Sequence, residues 1–154
     1  MLPIIERRRI EAEILKQVHD VLVESHGAEV AEATIDAAVS RAAVAAGATF
    51  REALGRDPNL ADFADILPNW TANDALSIDL HEASPNTLSF DVTRCRYAEM
   101  YREMGLGHIG HLLSCNRDGE FCKGYNPAMK LERTETLMKG GERCDFRYRM
   151  DPEA

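Results

Sequence analysis

The sequence predicts an α+β fold, with a helical N-terminal half packed on an antiparallel sheet of about four strands. Three observations lead there. Apolar residues recur at helical spacing as far as Leu67. The period changes to two after Trp70. Turn formers at Ser84-Pro85-Asn86 and at Gly140-Gly141 each separate two alternating segments.

The first helix starts near Pro3, which suits a first helical turn. Ile10, Ile14, Val18 and Val21 or Leu22 recur along it, and Gly27 stops it. A second helix runs from about Ala28 to about Leu54. Val30, Ile35, Ala38, Val39 and Ala42 mark its buried stripe, and Gly47 is a point where it would kink or end. Asn59 caps a third, short helix burying Leu60, Phe63, Ile66 and Leu67, which stops before Pro68. Leu76, Ile78 and Leu80 alternate with polar residues, as do Leu88, Phe90 and Val92, so the two segments form a hairpin. A helix from about Arg94 to Met104 follows, closed by Gly105, and residues 107–116 form another short one. Residues 117–128, with Gly119, Gly124, Asn126 and Pro127, read as loop. A last hairpin pairs a strand Met129–Leu137 with a strand Arg143–Met150. In the second of these, Cys144, Phe146, Tyr148 and Met150 share one face.

The chain has 154 residues, 18 basic and 26 acidic, for a net charge of −8. That length suits one domain. A 45% hydrophobic fraction excludes general disorder. No run approaches the roughly 20 apolar residues of a membrane span. Glu6, Arg7, Arg8 and Arg9 interrupt the start before any apolar signal segment. The acidic balance argues against nucleic-acid binding. Residues 123–149 are the exception, with seven basic and four acidic groups, and can hold a small anion. The four cysteines contain no Cys-x-x-Cys pair, and free thiols in a reducing cytoplasm are the simplest reading.

Reactive side chains concentrate between Arg94 and Cys144. On a helix, His111 and Cys115 would lie one turn apart, a spacing for a thiolate–imidazolium nucleophile oriented by Asp118 or Asn116. A cysteine beside Leu112 and Leu113 is more often a small buried apolar residue. Cys95, Cys115, Cys122 and Cys144 with His108 and His111 offer enough ligands for zinc, but no two cysteines sit at chelate spacing. Strict alternation places Arg133 and Glu135 on the face of Met129 and Leu131. There they would line a pocket and bind a carboxylate, unless a bulge or edge position exposes them. Arg94 and Arg96 flank Cys95 at a strand-to-helix junction, an anion site or ordinary solvated arginines.

Three segments resemble the L-2-amino-thiazoline-4-carboxylic acid hydrolase family. They are Asp91-Val92-Thr93-Arg94-Cys95-Arg96-Tyr97-Ala98-Glu99-Met100-Tyr101, then Leu113-Ser114-Cys115-Asn116-Arg117-Asp118 followed by Gly124-Tyr125-Asn126-Pro127, and finally Leu131–Leu137 with Gly140 and Cys144-Asp145-Phe146-Arg147-Tyr148. The likeness covers about residues 70–150. It implies a small cytoplasmic hydrolase of bacterial type that opens 2-amino-thiazoline-4-carboxylate to N-carbamoyl-cysteine. Cys95, Cys115, Asp118, Asn126 and Cys144 match the family pattern, which does not assign their work.

That reaction needs an activated water or thiolate, an acid for the leaving sulfur and a cation for the carboxylate. Cys115 is the candidate nucleophile, His111 or Asp118 the proton carrier, and Arg94 or Arg133 the carboxylate anchor. Cys95, Asn126 and Cys144 complete the candidate substrate site. No cofactor is expected, with zinc held through thiolates as the alternative. The expected partner is a small-molecule substrate, with neither nucleic acid nor membrane, and a homo-oligomer fits the alanine-rich helices. The closing Gly turn and Cys-x-Phe also resemble vinyl-reductase-type and haem-nitric-oxide-type small-ligand domains, which implies the rival reading of a non-catalytic binding or sensor domain.

Overall fold

The computed structural model describes residues 2–152. Two long helices open it, α1 (Ile4–His26) and α2 (Ala28–Leu54). Gly27 alone joins them at φ 93°, a left-handed value that a Cβ would oppose. Helix α3 (Leu60–Ile66) starts in a capping box. Asn59 Oδ1 accepts from the Asp62 amide at 3.0 Å, and the Asp62 carboxylate accepts from the Asn59 amide at 2.8 Å. Helix α3 stops before Pro68, as the sequence suggested, but the chain turns straight into another helix. Pro68 opens a short α4 (Pro68–Thr71), where a missing N–H costs nothing.

Strands β1 (Leu76–Ala83) and β2 (Thr87–Cys95) form the first hairpin, and β3 (Lys130–Glu132) and β4 (Cys144–Arg149) the second. The sheet order is β1-β2-β4-β3 with every neighbour antiparallel, so the fold is α+β with four strands. Leu88, Phe90 and Val92 of β2 and Cys144, Phe146 and Tyr148 of β4 are buried on the inner face. Helix α5 (Arg96–Glu103) leaves the end of β2 directly.

Several expectations need correction. Residues 117–128 are mostly helix, not loop. A π-helical turn (His111–Cys115) runs into α6 (Asn116–Tyr125), and Asn126-Pro127 end it. Of the glycines that suggested a loop, Gly124 serves helix crossing instead. A Cβ on Gly124 would overlap the Val44 carbonyl and come within 2.9 Å of the Ala48 amide. A Cβ on Gly47 would overlap the Phe121 carbonyl and come within 2.7 Å of the Tyr125 amide. Gly47 therefore neither kinks nor ends α2; it admits α6.

The strand expected over residues 129–137 is only three residues long. The chain leaves the sheet at Arg133 and makes a 3-10 turn at Leu137–Lys139. On α1 the periodic residues Ile10, Ile14, Val18 and Val21 are exposed, and Ala12 and His19 are buried instead. On α2, Ile35 and Val39 are buried as expected. Val30, Ala38 and Ala42 face outward, while Ala31, Ala43 and Gly47 complete the inner stripe.

Candidate functional site

Between the N-terminal helices and the inner face of the sheet lies a cavity of about 180 Å³, adjoined by a second compartment of about 80 Å³. Arg8, Trp70, Leu76, Arg117, Asp118 and Phe146 line both. Helix α1 supplies Arg8 and Glu11 one turn apart, with Arg8 Nη1 donating to the Glu11 carboxylate at 3.1 and 3.2 Å. The start of α6 supplies Arg117 and Asp118. The segment after β3 supplies Arg133.

The π-helical turn sets this arrangement. Widening the helix over residues 111–115 re-aims the side chains that follow, a device found at functional sites. Ser114 Oγ shares a 2.6 Å hydrogen bond with the Tyr101 hydroxyl. Asn116 Nδ2 donates to Asp36 Oδ1 at 2.6 Å and to Ser40 Oγ at 2.9 Å, tying the junction to α2. Arg117 Nε then donates to the Leu113 carbonyl at 2.7 Å and its Nη2 to Glu11 at 3.0 Å. Arg133 Nη1 donates to Asp118 Oδ2 at 2.7 Å and Nη2 to the Cys115 carbonyl at 3.2 Å. The Arg133 guanidinium lies 5.0 Å from the Phe146 ring centre, in cation–π range.

The electrostatics are uneven. Side chains of Arg8 and Arg117 are each 13% exposed and that of Arg133 18%. These three guanidiniums face two carboxylates that are more open, Glu11 at 36% and Asp118 at 29% exposed. Burial and the neighbouring Arg8 bring Arg117 down to about 10. Burial pushes the Asp118 carboxyl above the usual carboxylate range, and Arg133 restrains it only in part. Burial also works against the Arg133 charge, but Asp118 more than restores it and the net direction is up. The cluster is short of negative charge, which an anionic ligand would supply.

The predicted residues divide into groups. Cys95, Cys115, Asp118, Arg133 and Cys144 converge on the smaller compartment. Burial raises all four thiols, Cys95 to about 11 and Cys122 to about 12. Cys95 Sγ accepts from the Ala98 amide at 3.4 Å, capping α5, and Cys144 Sγ accepts from the Leu137 amide at 3.2 Å. His111 does not face this cavity. It lines an open outer cleft with Asp36, Arg133, Glu135 and Lys139, and Cys115 borders both spaces. Among the described residues no hydrogen bond joins His111 to Cys115, and burial lowers the imidazole's affinity for a proton.

Arg94 points outward, 61% exposed, and pairs with Glu99 at 3.1 Å. Asn126 clamps a loop, its Nδ2 donating to the Pro58 carbonyl at 2.8 Å and its Oδ1 accepting from the Ala128 amide at 3.0 Å. Glu135 turns away from Arg133 and accepts from the Glu142 and Arg143 amides at 2.9 and 3.3 Å. Among the described residues no three His, Cys, Asp or Glu side chains gather as a metal site requires.

Sequence reasoning missed Arg8, Glu11, Arg117 and the aromatic wall formed by Phe50, Trp70 and Phe121. One signal was available. Arg8 lies one turn before Ala12 and one turn after Ile4, on the face of α1 that is in fact buried.

An α+β scaffold with an apolar cavity, a cationic end and an acid of raised pKa is a candidate small-molecule site. Residues 7–148 match the sequence model of the L-2-amino-thiazoline-4-carboxylic acid hydrolase family, and the chain belongs to that family. No curated protein and no solved structure matches the chain. Among the described residues no helix is long and apolar enough to cross a membrane.

Proposed function

We propose that this protein hydrolyses a C–N or C–S bond of a small cyclic amidine, thioamide or amide that carries a carboxylate, as the family's named substrate does. The observation that carries this reading is the excess of buried guanidinium over carboxylate beside Asp118. The substrate carboxylate takes the place of the missing anion, held by Arg117 with Arg8. Asp118 is the proton carrier. Its carboxylate takes a proton from a water as the oxygen adds to the carbon between sulfur and nitrogen. It returns that proton to the sulfur as the C–S bond breaks, while the hydroxyl proton of the adduct passes to the ring nitrogen, leaving a ureido group and a free thiol. Arg133 positions Asp118 and favours its ionised form.

Cys115 supports a second version, because its thiol borders the same compartment as Asp118. Burial raises that thiol, so Asp118 would take its proton as Sγ adds and pass it to the ring sulfur as the C–S bond breaks. Water would then hydrolyse the Cys115-linked isothiourea to the urea and free Cys115. Thiol release from 2-amino-thiazoline-4-carboxylate, followed with a thiol-reactive dye, tests both. Release that falls at least about 100-fold in Asp118→Asn supports Asp118 as proton carrier. Release retained in Cys115→Ser selects water as nucleophile, and its loss selects Cys115. No turnover of any such ring, with binding intact, selects the sensor reading.

Four free thiols support a reducing compartment. The outward stripe of Ile10, Ile14, Val18 and Val21 supports pairing with a second copy. An antiparallel arrangement would set exposed Arg7 of one copy against exposed Glu24 of the other, whereas a parallel one would oppose like charges.

A further inference from the structure

Arg8, Arg117, Arg133 and Asp118 account for one end of the cavity only. The larger compartment is walled by Phe50, Phe63, Trp70, Phe121 and Phe146. These rings brace one another. Phe50 stacks on Trp70 at 5.7 Å, Trp70 meets Phe121 edge-on at 5.3 Å, and Phe63 stacks on Phe121 at 5.7 Å. Packed interiors rarely leave a void larger than a water molecule, so a wall that stays open around about 180 Å³ is a feature to explain. An apolar cavity of about 150 Å³ accommodates benzene. An aminothiazoline carboxylate offers this wall only its ring sulfur and one methylene to bury. The lining runs out to exposed Arg7 and Ala42, which gives a path of entry between α1 and α2.

We propose that the cavity takes an amphiphilic carboxylate, with its acid group on Arg117 and Arg8 and an apolar chain or aryl ring against Phe50, Trp70 and Phe121. Applied to the substrate, this rests on the hydrolase reading: the hydrolysable group then faces Asp118, and the natural substrate carries an apolar substituent that the bare thiazoline lacks. The binding claim stands apart from turnover.

Trp70 is the chain's only tryptophan and lies in the wall, so its fluorescence reports occupancy directly. Acetate, butyrate, hexanoate and 3-phenylpropionate are titrated at constant ionic strength, with hexanamide as the neutral control. Affinity is expected to rise about threefold to fourfold per methylene. Hexanoate is expected to bind at least about tenfold tighter than hexanamide, and Arg117→Met to remove that preference. Ala46→Phe, which fills the apolar compartment, is expected to weaken hexanoate at least about tenfold and to leave acetate as before.

Equal affinity along the series, or equal binding of acid and amide, overturns the proposal. Should Ala46→Phe not fold, the wild-type series with its neutral control still decides. Turnover of the bare thiazoline with no gain from longer acids ends this inference and keeps the hydrolase reading. Tight hexanoate with no hydrolysis of any amidine does the reverse.

Discussion

Two aspartates, one on each side of the sheet, share the same partner type and behave oppositely. Asp91 on the outer face accepts from Arg147 at 2.9 Å and His81 at 3.0 Å. Its carboxyl is held below the usual carboxylate range, chiefly by the His81 hydrogen bond. Asp118 in the inner cavity accepts from Arg133 at 2.7 Å, and burial raises it. Asp91 is itself buried, its side chain 11% exposed, but its partners His81, Arg143 and Arg147 are 41 to 49% exposed, so water solvates whatever charge they leave uncompensated. Inside, each buried ion must be balanced by its neighbours, and two carboxylates do not balance three guanidiniums. An aspartate–arginine pair is thus a brace in one place and, on the proposed reading, a proton carrier in the other.

The largest expected contrast is in turnover. Asp118→Asn still accepts from Arg133, so it keeps the fold and loses about 10²–10⁴-fold in kcat. Asp91→Asn is expected to keep activity within about twofold and to lower the melting temperature. Steady-state kinetics and thermal melts on both variants measure this. Equal loss of activity in the two would erase the distinction.

The arginines give the next contrast. Arg117→Met removes a charge-assisted contact and is expected to raise KM about 10–100-fold. Arg147→Met is expected to leave KM unchanged. If both raise KM alike, the cationic end of the cavity is not the carboxylate site.

Stability against pH separates the two aspartates by sign. The lowered Asp91 pKa contributes stability that is present above its unfolded value, roughly 3.9, and is lost as pH falls through the folded value. The raised Asp118 pKa works the other way: stability is lost as pH rises from roughly 3.9 through its folded value. Melting curves should therefore show Asp91→Asn losing the acid-side decline and Asp118→Asn losing the decline on the alkaline side of 3.9. The opposite assignment would show that the outer pair, not the inner one, bears the desolvation.

The smallest effect is expected at His111. It lines the outer cleft rather than the cavity, so His111→Ala should change kcat by no more than about twofold. A loss like that of Asp118→Asn would return the proton carrier to the outer cleft.

Much of the fold was legible in the sequence. The capping box at Asn59, the alternation of Leu88, Phe90 and Val92 and the Cys144–Tyr148 face are local signals, and the structure keeps them, whereas the alternation of β1 fails at Leu80, which is exposed. The failures also have local causes. Alanine and leucine positions around Arg8 and Ala12 were outweighed by the bulkier periodic residues Ile10, Ile14 and Val18, and the wrong face of α1 was chosen. Gly119 and Gly124 resemble loop residues when no neighbour is in view. Only the α2 backbone lying against α6 reveals why a side chain is excluded at Gly124.

By itself, then, the sequence determined the element types, the four-strand sheet and the stretch where Cys115, Asp118 and Arg133 fall, because period, capping and turn chemistry act over a few residues. Tertiary structure decided which arginine faces which acid. Arg133 abandons Glu135 for Asp118, 15 residues away, and Arg117 meets Glu11 across 106 residues. Those pairings, the open aromatic wall and the raised Asp118 depend on desolvation. Desolvation is a property of what surrounds a group in space, and no local pattern of residues carries it.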